Sequence, residues 1–271
     1  MFKNRVLIVG LIAAIAMILS GCGEYEKLLK SRDYQKKYDS ALQLYEEEQF
    51  VKAGTLFDQV ANIYRGTTKA DTVKYYQAKS YYGQRDYMMA GHYFSELSVT
   101  YPNSAYVEEA DFMTAYCFYK QSPRPELDQD NTFSTIATLQ MFMVKYPNSD
   151  KLMESQEIIV EMSDKLVEKS FISAKLYYDL RYYKSAILAL RNSLIEYPST
   201  RYREELMFLI LKSSYLLADN SISSLQRERY QAAVDEYYSF IGEFPDGSHS
   251  KEAERIYESS NKFLANINNK S

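Results

Sequence analysis

An aromatic residue followed by proline recurs four times along this chain: Tyr101-Pro102-Asn103-Ser104, Tyr146-Pro147-Asn148-Ser149, Tyr197-Pro198-Ser199-Thr200 and Phe244-Pro245-Asp246-Gly247. Proline lacks an N–H and ends a helix, and the Asn or Ser after it can cap the next one. Each mark therefore reads as a helix–helix junction. Counted back from these prolines, the chain keeps one frame. Ala78, Tyr81, Ala90, Phe94 and Pro102 are spaced 3, 9, 4 and 8 residues apart, and so are Ala174, Tyr177, Ala186, Leu190 and Pro198. Ala41, Leu44, Ala53 and Phe57 share the spacing, with Arg65 in the proline position. Two further units, Ala115-Phe118-Thr135-Leu139-Pro147 and Ser213-Leu216-Ala233-Tyr237-Pro245, fit once eight residues enter between their helices. Those insertions, Pro-rich at Ser122–Pro125 and Ser-rich at Asn220–Ser223, are expected as surface loops. Steps of three and four put the frame residues on one helical stripe, where small side chains let two antiparallel helices approach and large ones fill the gap.

The frame resembles the tetratricopeptide repeat, a helix-turn-helix unit of about 34 residues. The resemblance implies an all-α superhelix of about five repeats over residues 34–247, closed by a capping helix near 249–267. It departs from that family where a large aromatic often opens the first helix: Lys37, Lys74, Asp111 and Ser170 stand there. Between Lys151 and Leu180 no Pro or Gly interrupts the pattern, so one long helix is expected to bridge two halves. Only 9 Gly and 6 Pro in 271 residues argue independently against a many-stranded sandwich or barrel.

The N-terminus has its own pattern. Lys3 and Arg5 precede an uncharged run from Val6 to Leu19, too short for the ~20 residues that span a bilayer and suited to a signal peptide. The run ends in Leu19-Ser20-Gly21-Cys22, which resembles the lipobox of bacterial lipoproteins. That resemblance implies cleavage before Cys22 and acylation there, giving stable membrane anchoring. The domain reading is then a signal peptide over 1–21, a lipidated N-terminus and tether over 22–33, repeats 1–3 over 34–149, and the bridging helix, repeats 4–5 and cap over 150–267. The tether would keep the repeats within ~40 Å of the membrane. Cys117 has no partner for a disulfide and reads as a buried structural thiol.

Chemistry is sparse. Formal charge is −4, or −6 once Lys3 and Arg5 are removed with the leader (30 basic against 36 acidic side chains), so nucleic acid is not expected as a partner. His92 and His249 lie in different repeats without acidic or Cys neighbours at ligand spacing, and no metal or other cofactor is expected. Glu46-Glu47-Glu48 and Glu108-Glu109 point in different directions on helices and read as solvated faces. Without a phosphate-cradling Gly-rich loop or a nucleophile elbow, the chain reads as a non-enzyme.

The composition does stand out in one respect, 27 Tyr with no Trp, and the aromatics follow the frame. Tyr38, Tyr75, Phe112 and Phe171 come three residues before the small residue of the first helix; Tyr45, Tyr82, Tyr119 and Tyr178 come four after it. Seven residues are nearly two turns, so each pair shares a stripe. In the repeat family that stripe faces a concave groove, and the pairs would form a ladder that binds a peptide or partner. The alternative is that the rings pack between repeats and fill the core.

Lipobox, short connection, five repeats, the long helix and Ser173-Ala174-Lys175-Leu176-Tyr177-Tyr178 after it together resemble the BamD family, lipoproteins of the β-barrel assembly complex. The resemblance implies an outer-membrane, lipid-anchored scaffold on the periplasmic face. Its N-terminal repeats would receive unfolded outer-membrane protein substrates and its C-terminal repeats would dock a BamA-like barrel subunit. It also points to an arginine early in the helix after Pro198, here Arg203 with Arg201 beside it; alternatively the two are solvated charges matched to Glu204 and Glu205. Two other readings stay open: an envelope scaffold coordinating constriction with peptidoglycan synthesis, and a glycan-binding lipoprotein of a transporter.

Overall fold

The computed structural model describes residues 23–268, so Cys22 and the leader expected over residues 1–21 lie outside the described residues. All regular structure described is helical. The helices are α1 (23–30), α2 (Tyr34–Glu46), α3 (Phe50–Tyr64), α4 (Ala70–Gly83), α5 (Tyr87–Thr100), α6 (Val107–Gln121) and α7 (Asp130–Lys145). They continue with α8 (Leu152–Asp179), α9 (Tyr183–Glu196), α10 (Arg203–Asp219), α11 (Ser223–Glu243) and α12 (Ser250–Asn268). The pairs α2/α3 to α10/α11 are the five repeats of the tetratricopeptide frame and α12 is the cap. The bridging helix is α8. By packing, the chain divides into two compact units. One runs to Ser122 and includes Asp130–Ile159; the other consists of Pro123–Gln129 and the chain from Val160 on. The division falls inside α8.

In the first unit each helix from α2 to α7 packs against the next, and α2 also touches α4. In the second, α9 to α12 do the same and α10 touches α12. The frame residues explain this. Ala41, Ala53, Phe57, Ala78, Ala90, Phe94, Ala115, Thr135, Leu139, Ala186, Leu190 and Ser213 are all fully buried. Each fully buried Phe or Leu among them contributes about 1.5–3 kcal/mol. The second slot of the frame behaves differently from the expected stripe. Leu44, Tyr81, Phe118 and Leu216 are half-buried and Tyr177 is 44% exposed, because that slot has turned past the line of closest approach.

Two turns alternate. Inside repeats 1, 2 and 4 the first helix ends at a left-handed residue, Glu48 (φ 56), Arg85 (φ 61) or Arg181 (φ 63). The residue after it donates back five positions: Gln49 N to Leu44 O (2.8 Å), Asp86 N to Tyr81 O (3.0 Å), Tyr182 N to Tyr177 O (2.9 Å). This closure usually uses glycine, and here three charged residues adopt it. Between repeats, the aromatic-Pro marks fold as two consecutive turns, for example Ser104 N to Tyr101 O (2.9 Å) followed by Val107 N to Ser104 O (3.2 Å). The expected capping of the next helix by the Ser of the mark does not occur. The hydroxyls of Ser104, Ser149 and Thr200 instead accept from the amides of Tyr106, Lys151 and Tyr202, two residues on. Side chains of Asp33 and Asp86 cap α2 and α5.

Three further differences have physical causes. The Ser-rich insertion was expected as a loop, but from Ser223 it is wound into α11, whose 21 residues exceed the 14 of α5 and α9. No proline interrupts it, whereas Pro123 and Pro125 hold the other insertion open. Residues 22–33 were expected as a tether, yet 23–30 form α1, and Tyr25, Leu28 and Leu29 pack against the first repeat's core. Where Lys37, Lys74, Asp111 and Ser170 replace the usual aromatic, each ties the two helices of its repeat together. Lys37 Nζ donates to Gln59 Oε1 (2.7 Å), Lys74 to Glu96 (2.9 Å), and Ser170 Oγ to Ser193 Oγ (2.9 Å). Asp111 accepts from both Lys145 Nζ and Tyr146 Oη (2.7 Å each). Cys117 is buried, as expected, and burial pushes its thiol up to about 12.

Candidate partner-binding face

The two members of each aromatic pair have different surroundings. Tyr38, Tyr75, Phe112 and Phe171 are only 4–8% exposed. The residue just ahead of the next repeat's first helix covers each of them. Lys69 Nζ lies 4.7 Å from the Tyr38 ring centre, Tyr106 stacks on Tyr75 at 4.2 Å, Lys151 Nζ lies 5.3 Å from Phe112, and Tyr202 stacks on Phe171 at 4.2 Å. The fifth repeat repeats the device with His249 stacked on Phe208 at 4.3 Å. These rings are core, which corrects their place in the expected groove: a ring three residues before the small residue faces the following repeat.

Tyr45, Tyr82, Tyr119 and Tyr178 are half-buried. In the first unit, Tyr45 sits edge-on to Tyr76 (5.1 Å) and Phe50, and Tyr82 meets Tyr87 (5.4 Å) and Tyr116 (6.4 Å). Tyr116 in turn meets Tyr119 (5.4 Å), and Lys120 Nζ lies 5.0 and 5.4 Å from these last two rings. Tyr76, Tyr87, Tyr116 and Lys120 were not anticipated, because one-per-repeat counting passes over them. Burial raises the Tyr45 hydroxyl and pushes Tyr82 up to about 12, so both stay neutral hydrogen-bonding phenols. Lys79 and Glu109 pair at 3.1 Å, beside Tyr75. In the second unit Tyr178 meets Tyr183 at 6.2 Å. Each of these rings is partly accessible to solvent and carries both an apolar face and a hydroxyl.

A cavity of about 700 Å³ lies elsewhere in the first unit, among α5, α6 and α7. It is lined by the exposed Val99, Met141 and Val144 and contains no ladder residue.

The two candidate docking arginines differ from each other, and neither pairs with Glu204 or Glu205. Arg203 forks onto Glu243, with Nη2–Oε2 at 2.9 Å and Nε on Oε1, and its Nη1 donates to the Pro198 carbonyl (2.9 Å). It is an internal tie between the junction and the end of α11. Arg201 is more open: it reaches Glu168 (3.3 Å) and the Tyr202 hydroxyl (2.9 Å) and is 57% exposed. It borders a cavity of about 520 Å³ lined also by Asp164, Val167 and Tyr197. Glu204 accepts from Ser248 Oγ (2.8 Å) and His249 N (3.2 Å), and Glu205 meets Lys175 at 3.4 Å. Among the described residues no His, Cys, Asp and Glu side chains gather as a metal site, and no helix is long and apolar enough to cross a membrane.

Comparison with known proteins gives three findings. The family described as YfiO, outer membrane lipoprotein, matches residues 30–226. A protein of Aquifex aeolicus, provisionally named outer membrane protein assembly factor BamD, is 26% identical over 250 residues, covering 92% of this chain and 80% of that one. The TPR2AB domain of yeast Sti1, solved in its pHSP90 complex, aligns with 84% of this chain and 98% of its own at 13% identity and a TM-score of 0.39. With its family match spanning all of the first four repeats and part of the fifth, the chain belongs to the YfiO, or BamD, family of outer membrane lipoproteins.

Proposed function

We propose that this protein is a non-catalytic scaffold of outer-membrane protein assembly, anchored by acyl chains on Cys22 at the periplasmic face of the outer membrane. The half-buried tyrosines of α2, α4 and α6 (Tyr45, Tyr82, Tyr116 and Tyr119) receive unfolded barrel strands ending in aromatic residues. The second unit docks the periplasmic part of a BamA-like barrel subunit, with Arg201 as the open contact. The observation that carries this reading is a row of partly solvated phenols in a member of an outer membrane lipoprotein family. Arg203 serves a different purpose in it: its fork is already filled by Glu243, so its removal acts through the second unit's packing. The test is affinity purification from detergent-solubilised membranes. Arg201→Glu should deplete the co-purifying barrel subunit at least tenfold, the size expected of a hot-spot arginine, with unchanged melting. Undiminished co-purification would place the docking surface elsewhere. Cys22→Ala should abolish palmitate labelling and leave an unprocessed precursor; persistent labelling would remove the anchor from the proposal.

A further inference from the structure

The segment that follows Cys22 is a fixed part of the first repeat. Tyr25 Oη donates to the Lys52 carbonyl (3.2 Å), and the buried Lys37 donates its ammonium to the Leu29 carbonyl (3.0 Å). Leu28 and Leu29 pack against the core of that repeat. Between α1 and α2 runs a groove of about 520 Å³ whose lining includes Glu24, Lys27, Ser31, Lys36, Ser40 and Lys52. Lys52 is engaged, donating to Gln49 Oε1 (2.7 Å) and lying 5.5 Å from the Tyr25 ring centre. Lys27, Lys30, Arg32 and Lys36 are exposed and have no carboxylate partner among the described residues. The ion pairs described all lie between Lys74 and Glu252.

Charge is distributed in the same sense. Residues 23–37 hold five basic side chains (Lys27, Lys30, Arg32, Lys36, Lys37) against three acidic ones (Glu24, Glu26, Asp33), a net +2 in a mature chain of net −6. Position completes the case. Gly23 is the neighbour of Cys22, and a helix rises about 1.5 Å per residue, so Lys27 stands about 6 Å along the axis from residue 23. The headgroup layer on each side of a bilayer is of the same order, about 5–8 Å. A chain acylated at Cys22 therefore brings unpaired ammonium groups to the depth of the lipid phosphates.

We propose that the α1–α2 groove is a seat for anionic phospholipid headgroups, held by Lys27 and Lys36 with Lys30 beside them. Acyl anchor and headgroup contact then act as two signals, and the first repeat lies against the membrane surface. The inference rests on the anchoring reading of Cys22, and the experiment separates the two. The mature chain carrying Cys22→Ser, and so no acyl group, is mixed with vesicles of phosphatidylcholine alone or with about 30% phosphatidylglycerol. Attraction near an anionic surface is about fivefold per lysine, so the chain should bind the anionic vesicles at least tenfold better, with the preference falling as salt rises. The triple reversal Lys27→Glu, Lys30→Glu, Lys36→Glu should remove that preference, while its melting temperature matches the parent. A matched reversal at Lys184, Lys251 and Lys262 should keep it within twofold. Retained binding in the first triple, or equal loss in the second, overturns the seat. Palmitate labelling of the unmodified chain reports on the anchor alone.

Discussion

Tyr75 and Tyr82 lie on the same helix, seven residues apart, and should fail in opposite ways when truncated. Tyr75 is 7% exposed, stacked on Tyr106 and edge-on to Phe94 and Tyr76. Removing a buried aromatic ring costs about 3–5 kcal/mol, and at about 4 °C per kcal/mol for a unit of this size Tyr75→Ala should lower the melting temperature by ~12–20 °C. Tyr82 is half-buried, with ring contacts to Tyr87 and Tyr116. Its truncation should cost about 1–2 kcal/mol in stability, or ~4–8 °C. A ring contact at an interface is worth a further ~1–1.5 kcal/mol, so Tyr82→Ala should weaken a peptide ending in an aromatic residue about five- to tenfold. The assay is fluorescence anisotropy of such a labelled peptide well below both melting temperatures, alongside thermal circular dichroism. Tyr75→Ala should then bind within about twofold of the parent, because nothing solvent-facing has been removed. The reasoning is refuted if both variants lose the same melting temperature and neither changes affinity. In that case Tyr82 is core as well.

Two positions in one turn should respond to glycine with opposite signs: Arg85→Gly relieves a left-handed backbone and should stabilise by about 0.5–1 kcal/mol, whereas Gly83→Ala drives a methyl into the Phe50 ring and should destabilise by about 1–3 kcal/mol. Chemical denaturation of each variant measures both signs. The hydrogen bonds from Ser248 to Glu204 and from Arg203 to Glu243 hold both carboxyls below the usual carboxylate range. Their contribution to stability is therefore present above the unfolded-state value of about 4.3 and is lost as pH falls through the lower folded values. Melting from pH 5 to pH 3 should fall less steeply in Glu243→Gln than in the parent, and parallel curves would mean that the pair adds nothing.

How far the sequence could be read depends on whether a signal keeps one residue type. Ala41, Ala78, Ala115 and Ala174 are legible because helices in close contact tolerate only small side chains there, and the spacing survives an eight-residue insertion. The cover over each core ring is equally regular in space, since Tyr106 follows Tyr75 by the same 31 residues as Tyr202 follows Phe171. It is not legible in the sequence because Lys69, Tyr106, Lys151, Tyr202 and His249 share no chemistry beyond presenting a flat or cationic group to a ring. The left-handed turns were hidden in the same way, by Glu48, Arg85 and Arg181 in the place of glycine. Arg203 looked like a free arginine because its partner, Glu243, is 40 residues away.

Local rules acting through the sequence alone determined the five helix pairs and the capping helix: apolar period, proline stops, and small residues at fixed steps. They also made legible that catalytic and metal-binding patterns are sparse, and that residues 1–21 with Cys22 after them have the pattern of a lipoprotein leader. Tertiary structure decided which of two rings on one stripe is buried. A helical stripe states only a direction, and burial depends on what the next repeat lays over it: Tyr106, just ahead of α6, stacks on Tyr75 at 4.2 Å, whereas Tyr116 of α6 meets Tyr82 only at 6.4 Å. It decided equally that residues 23–30 form a helix seated on the first repeat, since Tyr25, Leu28 and Leu29 gain an apolar surface only once α2 and α3 have paired.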